Sequence, residues 1–331
     1  MRLQILTPHW KEEPWEMHPL LNSLALQQAV NYQDFGVVIV YDGEEATPLP
    51  EAEWKQHYPY EITFVHATHG GVSAARNHAL DASTADYVMF CDADDMFYHA
   101  CGINILFGEM AREEFDSLTT PFIEETHNPQ TGEPIFVQHP QDTTFVHGKV
   151  HRRKYLADNN IRWNENLCVH EDSYFNVLCR CVSKDPTKVK YLPQSIYLWR
   201  WRDGSICRRD PDYMLQSYPQ LLDSNDALVD ELERRGLTDN ARFYATCSVL
   251  ECFFTMQKPR WKQDDAKGYR EAAEKRAGQF FNKHRALWES QTAQQITELS
   301  TALRERNIRE GMLIESISLP QWLGHIMALN Y

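Results

Sequence analysis

A cluster of carboxylates, Asp92-Ala93-Asp94-Asp95, directly follows the apolar run Tyr87-Val88-Met89-Phe90-Cys91. Carboxylates this close at the end of a buried strand repel one another unless a cation or hydrogen-bond donors neutralise them. Hard oxygen ligands of this kind suit Mg²⁺ or Mn²⁺, shared with phosphates and waters and not enclosed by protein alone. A cation there would neutralise a diphosphate leaving group as its bond to carbon breaks. Taken alone, the four residues also read as a solvated acidic turn capping the next helix. Upstream, Gly70-Gly71-Val72-Ser73-Ala74-Ala75-Arg76-Asn77 opens a helix-like stretch. Paired glycines permit close backbone approach, free N–H groups at a helix start favour anions, and Arg76 adds a fixed positive charge. An ordinary turn with a helix cap would have the same composition.

Such groups need a frame. Short apolar runs at 3–6 (LQIL), 37–41 (VVIVY), 62–65 (ITFV) and 87–91 (YVMFC) read as buried strands, and helical spacing runs over 19–32 and 72–80. Strand–helix repetition predicts a largely parallel sheet flanked by helices, with ligands beyond the carboxyl ends of its strands. Those ends deliver Thr7-Pro8-His9, Asp42-Gly43-Glu44-Glu45, the His66 to Gly71 turn and the Asp92 cluster to one rim. Residues 117–138 read as a hairpin around His127 to Gly132, and SIYLWRWRDGSICRRD after Leu192 reads as a strand and a charged turn. From Tyr213 onward the pattern is helical, with breaks at Gly236 and Lys258-Pro259.

Composition narrows the classes. The chain has 331 residues, 43 % of them hydrophobic, with 33 basic and 47 acidic side chains for a net charge of −14. That excludes a disordered chain and a broadly basic nucleic-acid binder. No apolar run approaches the roughly 20 residues of a membrane helix, and the opening MRLQILTPHWKEEP is too short of apolar residues for a signal peptide. A soluble, cytoplasmic protein is expected. The eight cysteines show no C-x-x-C spacing and read as scattered buried thiols.

The ordered series Thr7-Pro8, Asp42-Gly43, Gly70 to Asn77 and Tyr87 to Asp95 resembles the nucleotide-sugar-binding half of glycosyltransferase family 2, inverting enzymes of GT-A fold. Further on, Gly148-Lys149-Val150-His151-Arg152-Arg153 and Asn160-Ile161-Arg162-Trp163, leading to His170-Glu171-Asp172-Ser173-Tyr174-Phe175, are similar to the acceptor-side segment whose Glu-Asp pair supplies the base. The stretch Tyr197 to Ile206 resembles the aromatic-arginine segment that closes on the diphosphate. Tyr41-Asp42-Gly43-Glu44 stands where the family commonly has Asp-Asp-Gly-Ser, leaving Asp42 alone to hold the base or ribose. Pro8-His9-Trp10-Lys11 replaces Pro-x-Tyr-Asn, with His9 or Trp10 as the substitute for the stacking tyrosine.

The resemblance covers 1–210 and implies an α/β, Rossmann-like GT-A domain there, divided into a nucleotide-sugar half (1–115) and an acceptor half (116–210); the region 211–331 lies beyond it and reads as helical from its own pattern. It implies transfer of a hexose or pentose from a nucleotide diphosphate sugar, a UDP-sugar at family level, to a saccharide or glycolipid hydroxyl, with Mn²⁺ or Mg²⁺. Asp94 is then the leading metal ligand, and Asp92 contacts metal or ribose. Asp172 is the expected base with Glu171 its rival, and Arg200 and Arg202 clamp the diphosphate. Thr7, Pro8, His9, Asp42, Gly71, Arg76 and Ala93 complete the donor site. Residues 257–285 hold nine basic against four acidic side chains. They suggest peripheral membrane or nucleic-acid contact, or a solvated helix face. Transfer to a hydroxylated DNA base and a non-catalytic nucleotide-sugar-binding module are the alternatives.

Overall fold

The computed structural model describes residues 1–128, 130–203, 205, 212–258, 261, 267–309 and 317–329. The chain forms two compact units, Met1–Asp203 and Gly204–Tyr331.

In the first unit, β1 (Leu3–His9), α1 (Pro14–Ala25), β2 (Phe35–Asp42), α2 (Glu51–His57), β3 (Glu61–Ala67), α3 (Val72–Ala82) and β4 (Tyr87–Phe90) alternate along the chain. They are followed by β5 (Met96–Phe97), α4 (Gly102–Arg112), β6 (Ser117–Thr119), and the hairpin β7 (Phe122–His127) and β8 (Pro134–His139). Then come β9 (Lys149–Arg152), α5 (Arg153–Asp158), α6 (Glu171–Val182), β10 (Val189–Tyr191) and β11 (Tyr197–Trp199). A seven-stranded sheet has the order β10-β6-β9-β4-β1-β2-β3. Every pairing in it is parallel except those of β9, which runs antiparallel to β4 and β6. The strands β1 and β2 are apolar almost throughout because both faces are covered, so Leu3, Ile5, Val37, Val38, Ile39 and Val40 are all fully buried. Register places His9 opposite Tyr41 and Asp42 opposite Ala67, so the carboxyl ends of β1, β2 and β3 share one edge.

The first helix differs from the sequence expectation of 19–32. It starts at Pro14, whose missing N–H is no loss in a first turn, behind a capping box between Glu13 and Glu16. It stops at Ala25, whose carbonyl accepts from the Tyr32 hydroxyl at 2.5 Å. Helix α4, not anticipated from the sequence, buries Ile103, Leu106 and Phe107 on one face.

A smaller sheet has the order β5-β11-β7-β8. Phe97, Phe122 and Tyr197 point into the core from it, while their neighbours Met96, Ile123 and Leu198 lie on its other face. Gly148 leads into β9 with φ +70°, and an added Cβ would lie 2.8 Å from the Thr120 carbonyl oxygen. The Thr120 N–H donates back to the Gly148 carbonyl at 2.9 Å, so neither backbone can retreat without losing the pairing. Gly148→Ala is therefore expected to lower stability by about 1–3 kcal/mol, seen as a lower urea midpoint at unchanged slope; an unchanged midpoint would refute the constraint.

The second unit contains only helices among its described elements: α7 (Tyr213–Gln216), α8 (Tyr218–Arg234), α9 (Thr238–Met256), α10 (Tyr269–Lys283), α11 (Arg285–Trp288), α12 (Ala293–Arg309) and α13 (Leu319–Ala328). Leu222, Val229, Phe254, Phe280, Phe281 and Ile326 form its interior. No described helix is long and apolar enough to cross a membrane.

Candidate active site

Four loops at the carboxyl edge of the large sheet supply the polar groups, and their first task is to satisfy one another. The Asp42 carboxylate, at the end of β2, accepts the backbone N–H groups of Gly70 (2.8 Å) and Gly71 (3.1 Å), and His69 Nδ1 lies 3.0 Å from it. The anion at the start of α3 is thus a side chain of the protein itself. Gly71, at φ +83° with open space where a Cβ would be, leaves this turn uncovered.

At the end of β1, Thr7 is fully buried and its hydroxyl has no hydrogen-bond partner among the described residues. Pro8 carries the chain to His9, whose ring is buried, with Nε2 2.7 Å from the Thr47 carbonyl and Nδ1 3.1 Å from Glu12. Trp10, by contrast, is exposed and stacks on His69 with ring centroids 5.5 Å apart. Of the two stacking candidates, Trp10 is the one with an accessible ring. Burial alone would raise the Glu12 carboxyl, but hydrogen bonds from His9 and the Trp10 amide outweigh it and hold it at about 2.

Arg76 lies in the interior, 3 % exposed. Its guanidinium donates to Asp92 Oδ1 at 2.8 Å and to Glu171 Oε1 at 2.7 Å, and it sits 4.5 Å over the Trp163 ring. Asn77, one residue on, grips the Trp163 backbone through both its amide oxygen and its amide nitrogen. The Gly70 to Asn77 segment therefore joins the end of β4 to the start of α6. The sequence marks Arg76, Trp163 and Glu171 each in its own segment, but their meeting at one guanidinium has no local signal, because the partners lie 87 and 95 residues from Arg76.

The carboxylates after β4 divide by environment. Asp95 is buried and accepts from the Tyr197 hydroxyl and the Arg200 backbone N–H. Burial, with the charges of Asp94 and Asp92, drives its carboxyl well above the usual range. Ala93 is buried, whereas the side chains of Asp92 and Asp94 are 33 % and 26 % exposed. Burial and the Asp92 charge raise the Asp94 carboxyl to about 6. Arg200 donates to the Asp94 carbonyl, and Arg202 Nη1 lies 3.3 Å from the Asp94 carboxylate and 3.4 Å from Glu12. Both arginines thus stand beside the acidic cluster. Asp92, Asp95 and His147 form a group whose ligand atoms lie within 4.8 Å of one another. His147 is buried among aromatic rings and kept neutral by that burial, its Nδ1 without a hydrogen-bond partner among the described residues.

At the start of α6, Glu171 is buried against Arg76, while Asp172 accepts only the Ser173 N–H among the described residues and forms no ion pair there. Burial first, then the charge of Glu171, pushes the Asp172 carboxyl up to about 7.

In the second unit, four of the basic side chains of 257–285 pair with carboxylates from outside that stretch. Arg276 pairs with Asp223 and Asp226, Lys283 with Asp226 and Asp230, Lys267 with Asp212, and Arg285 with Glu289. Arg260, Lys262, Asp264 and Asp265 lie outside the described residues.

The profile of the family described as Glycosyl transferase family 2 matches residues 5–165. Among curated proteins, the glycosyltransferase EpsJ of Bacillus subtilis is 24 % identical over 225 residues, covering 62 % of each chain. The minor teichoic acid biosynthesis protein GgaB of the same species is 26 % identical over 54 % of this chain and 21 % of its own. The chain thus spans less than two-thirds of the length of either relative. Among solved structures, residues 1–349 of S. aureus TarS in complex with UDP-GlcNAc align over 95 % of this chain and 93 % of that one, with TM-score 0.61 and 18 % identity. A mannosyltransferase from Pyrobaculum calidifontis, in complex with GDP-Man and Mn²⁺, aligns over 99 % and 84 % with TM-score 0.52 and 12 % identity. These likenesses identify the fold as GT-A.

Proposed function

Since the chain belongs to glycosyl transferase family 2, we propose that it is an inverting, metal-dependent glycosyltransferase. It moves a sugar from a nucleotide diphosphate sugar, with UDP as the nucleotide, to a hydroxyl of a saccharide or glycolipid. The observation that carries this reading is the division of labour among the rim carboxylates. Arg76 ties Asp92 to Glu171, while Asp172 forms no ion pair among the described residues and has a carboxyl raised to about 7. A general base works best with a pKa near the operating pH, and Asp172 has the environment for it.

The residues divide the work as follows. Trp10 and the Gly70–Gly71 turn, braced by Asp42, receive the nucleoside. Arg200 and Arg202 meet the diphosphate, since a guanidinium offers paired donors to phosphate oxygens. Asp172 accepts the proton of the acceptor hydroxyl as its oxygen attacks the anomeric carbon from the face opposite the leaving diphosphate. The donor set fits a divalent cation: Asp92 and Asp94 are the solvent-facing carboxylates, and burial together with the Asp92 charge leaves Asp94 under-neutralised. Bound there, Mn²⁺ or Mg²⁺ would supply charge neutralisation to the departing diphosphate. Asp95 suits the role less, because its oxygens already serve Tyr197 and Arg200.

The test is release of nucleoside diphosphate from a panel of UDP-, GDP- and dTDP-sugars with saccharide acceptors and Mn²⁺, with the anomeric configuration of the product read by proton NMR. Asp94→Ala is expected to raise the Mn²⁺ concentration for half-maximal turnover about tenfold or more, the scale seen when a metal site loses a supporting carboxylate. Retention of configuration would overturn inversion, and an unchanged Mn²⁺ requirement would remove Asp94 from the site.

A further inference from the structure

The four-stranded sheet β5-β11-β7-β8 carries on its outer face a groove that the proposed chemistry leaves unused. Its volume is about 400 Å³, within the range of ordinary ligand pockets. Strand register explains its position. Ile123 pairs with Gln138 and Glu125 with Phe136, so Gln138 and Phe136 share a face with Ile123, and Leu198 of β11 joins them from the other side. Phe136 is 59 % exposed and Tyr98, just past β5, is 55 % exposed. These two aromatic rings are part of the groove's lining, yet neither is covered by the protein's own core.

The polar lining is made of amide, hydroxyl and imidazole groups. Gln138, Gln194, Ser195 and His99 contribute them, and among the described residues no carboxylate, ammonium or guanidinium takes part. The Gln138 amide donates to Ser195 Oγ at 2.8 Å, which leaves the Gln138 carbonyl as an acceptor and the Ser195 hydroxyl proton as a donor. His99 Nδ1 accepts the Cys101 backbone N–H, so in the neutral ring the proton lies on Nε2 as a further donor. Aromatic faces with hydroxyl- and amide-sized hydrogen-bonding groups match one ligand chemistry well. A pyranose ring presents C–H groups, of slight positive potential, to the negative face of an aromatic ring, and hydroxyls around its edge to amides. A phosphorylated polymer would find no cation here, and an acyl chain would strand four polar side chains.

We infer that this groove is a subsite for an uncharged oligosaccharide. Its link to the reaction, which rests on the glycosyltransferase reading, is β11. Ser195 lies at the groove and Arg200 at the carboxylate rim, five residues apart, a span of roughly 17 Å at about 3.3 Å per extended residue. The groove therefore holds a part of the acceptor remote from the reacting hydroxyl.

The experiment uses the full chain, the double variant Tyr98→Ala/Phe136→Ala, and chitotetraose and maltotetraose as probes in saturation-transfer NMR. Both substituted side chains are more than half exposed, so the variant is expected to fold with an unchanged melting temperature. The expected result is saturation of ring protons of at least one probe by the wild type, reduced at least fivefold in the variant, with UDP binding by calorimetry unchanged. Absence of transfer to both probes, or equal transfer in wild type and variant, overturns the subsite. So does a wild-type dimer in sedimentation velocity that becomes monomeric in the variant, because the face would then hold a second copy. Failure of every donor in the turnover assay would instead sink the glycosyltransferase reading and leave this binding result standing.

Discussion

Asp172→Asn is expected to lower kcat by about 10²–10⁴-fold, the range a positioned general base supplies, while UDP binding stays unchanged. Asparagine keeps the size of the side chain and its acceptor for the Ser173 N–H, so only proton abstraction is removed. Glu171 does not substitute, because its carboxylate is held by Arg76 and successive helical residues point about 100° apart. Wild-type kcat should rise with pH through about 7 and level off above it, as Asp172 loses its proton, and this limb should vanish in the variant. The same shift has a consequence for stability. Burial, aided by the Glu171 charge, raises the folded-state value from 3.8 to about 7. Between those values the folded state binds more protons than the unfolded one, so this group's contribution to stability falls as pH rises. Asp172→Asn should accordingly melt higher than the wild type at pH 8, with the gap closing toward pH 4. A gap independent of pH would show that the carboxylate charge is not its origin. A variant that retains more than a tenth of wild-type kcat would remove Asp172 from the role of base.

Arg76→Ala carries the largest expected effect on folding. It leaves Asp92 and Glu171 without their shared cation, and breaking a buried ion pair from one side typically costs about 3–5 kcal/mol. The Asp92 share is to be discounted because that side chain is one-third exposed and water screens it, so the lower end of the range applies. Loss of the guanidinium over Trp163 acts in the same direction. Arg76→Lys should fall between, since one ammonium cannot donate along two diverging directions as the fork does. The decisive comparison is a double-mutant cycle with Glu171→Gln, read by chemical denaturation. The second substitution should cost much less in the Arg76→Ala background than in the wild type. Additive costs would mean that the 2.7 Å contact contributes nothing of its own.

The frame was more legible in the sequence than the site's internal wiring. Strands β1 and β2 announce themselves because burial on both faces fills them with apolar residues, unbroken in Val37 to Val40 and interrupted in Leu3 to Leu6 only by Gln4. The Asp92 to Asp95 cluster announces itself because it interrupts one. Helix α1 was misplaced because Glu12, Glu13 and Glu16 give its opening turn the look of a loop, and only the capping geometry reveals the helix start. The antiparallel insertion of β9 depends on pairing with strands far away in sequence, which local periodicity does not encode. The same limit applies within the site. Residue types suggested an anion beside the α3 start and a cation at Arg76. The sequence had no means of saying that Asp42 is that anion, or that the partners of Arg76 sit 16 and 95 residues away. His9, a stacking candidate from the sequence, has both ring nitrogens engaged by groups three and 38 residues distant.

That 95-residue separation between Arg76 and Glu171 also sets a timetable. At a synthesis rate of about 5–20 residues per second, Glu171 leaves the ribosome roughly 5–20 s after Arg76. Until then β1 to β4 can assemble, since their pairings lie within the first 90 residues, but Arg76 has only Asp92 to face. A nascent chain halted between the two would carry the sheet and an unfinished charge arrangement, without the carboxylate that completes it. The residue that locks the donor-side loop arrives together with its neighbour Asp172, so the Arg76 arrangement is completed and the proposed base delivered in the same step of synthesis, before Tyr197 and Arg202 reach Asp95 and Asp94.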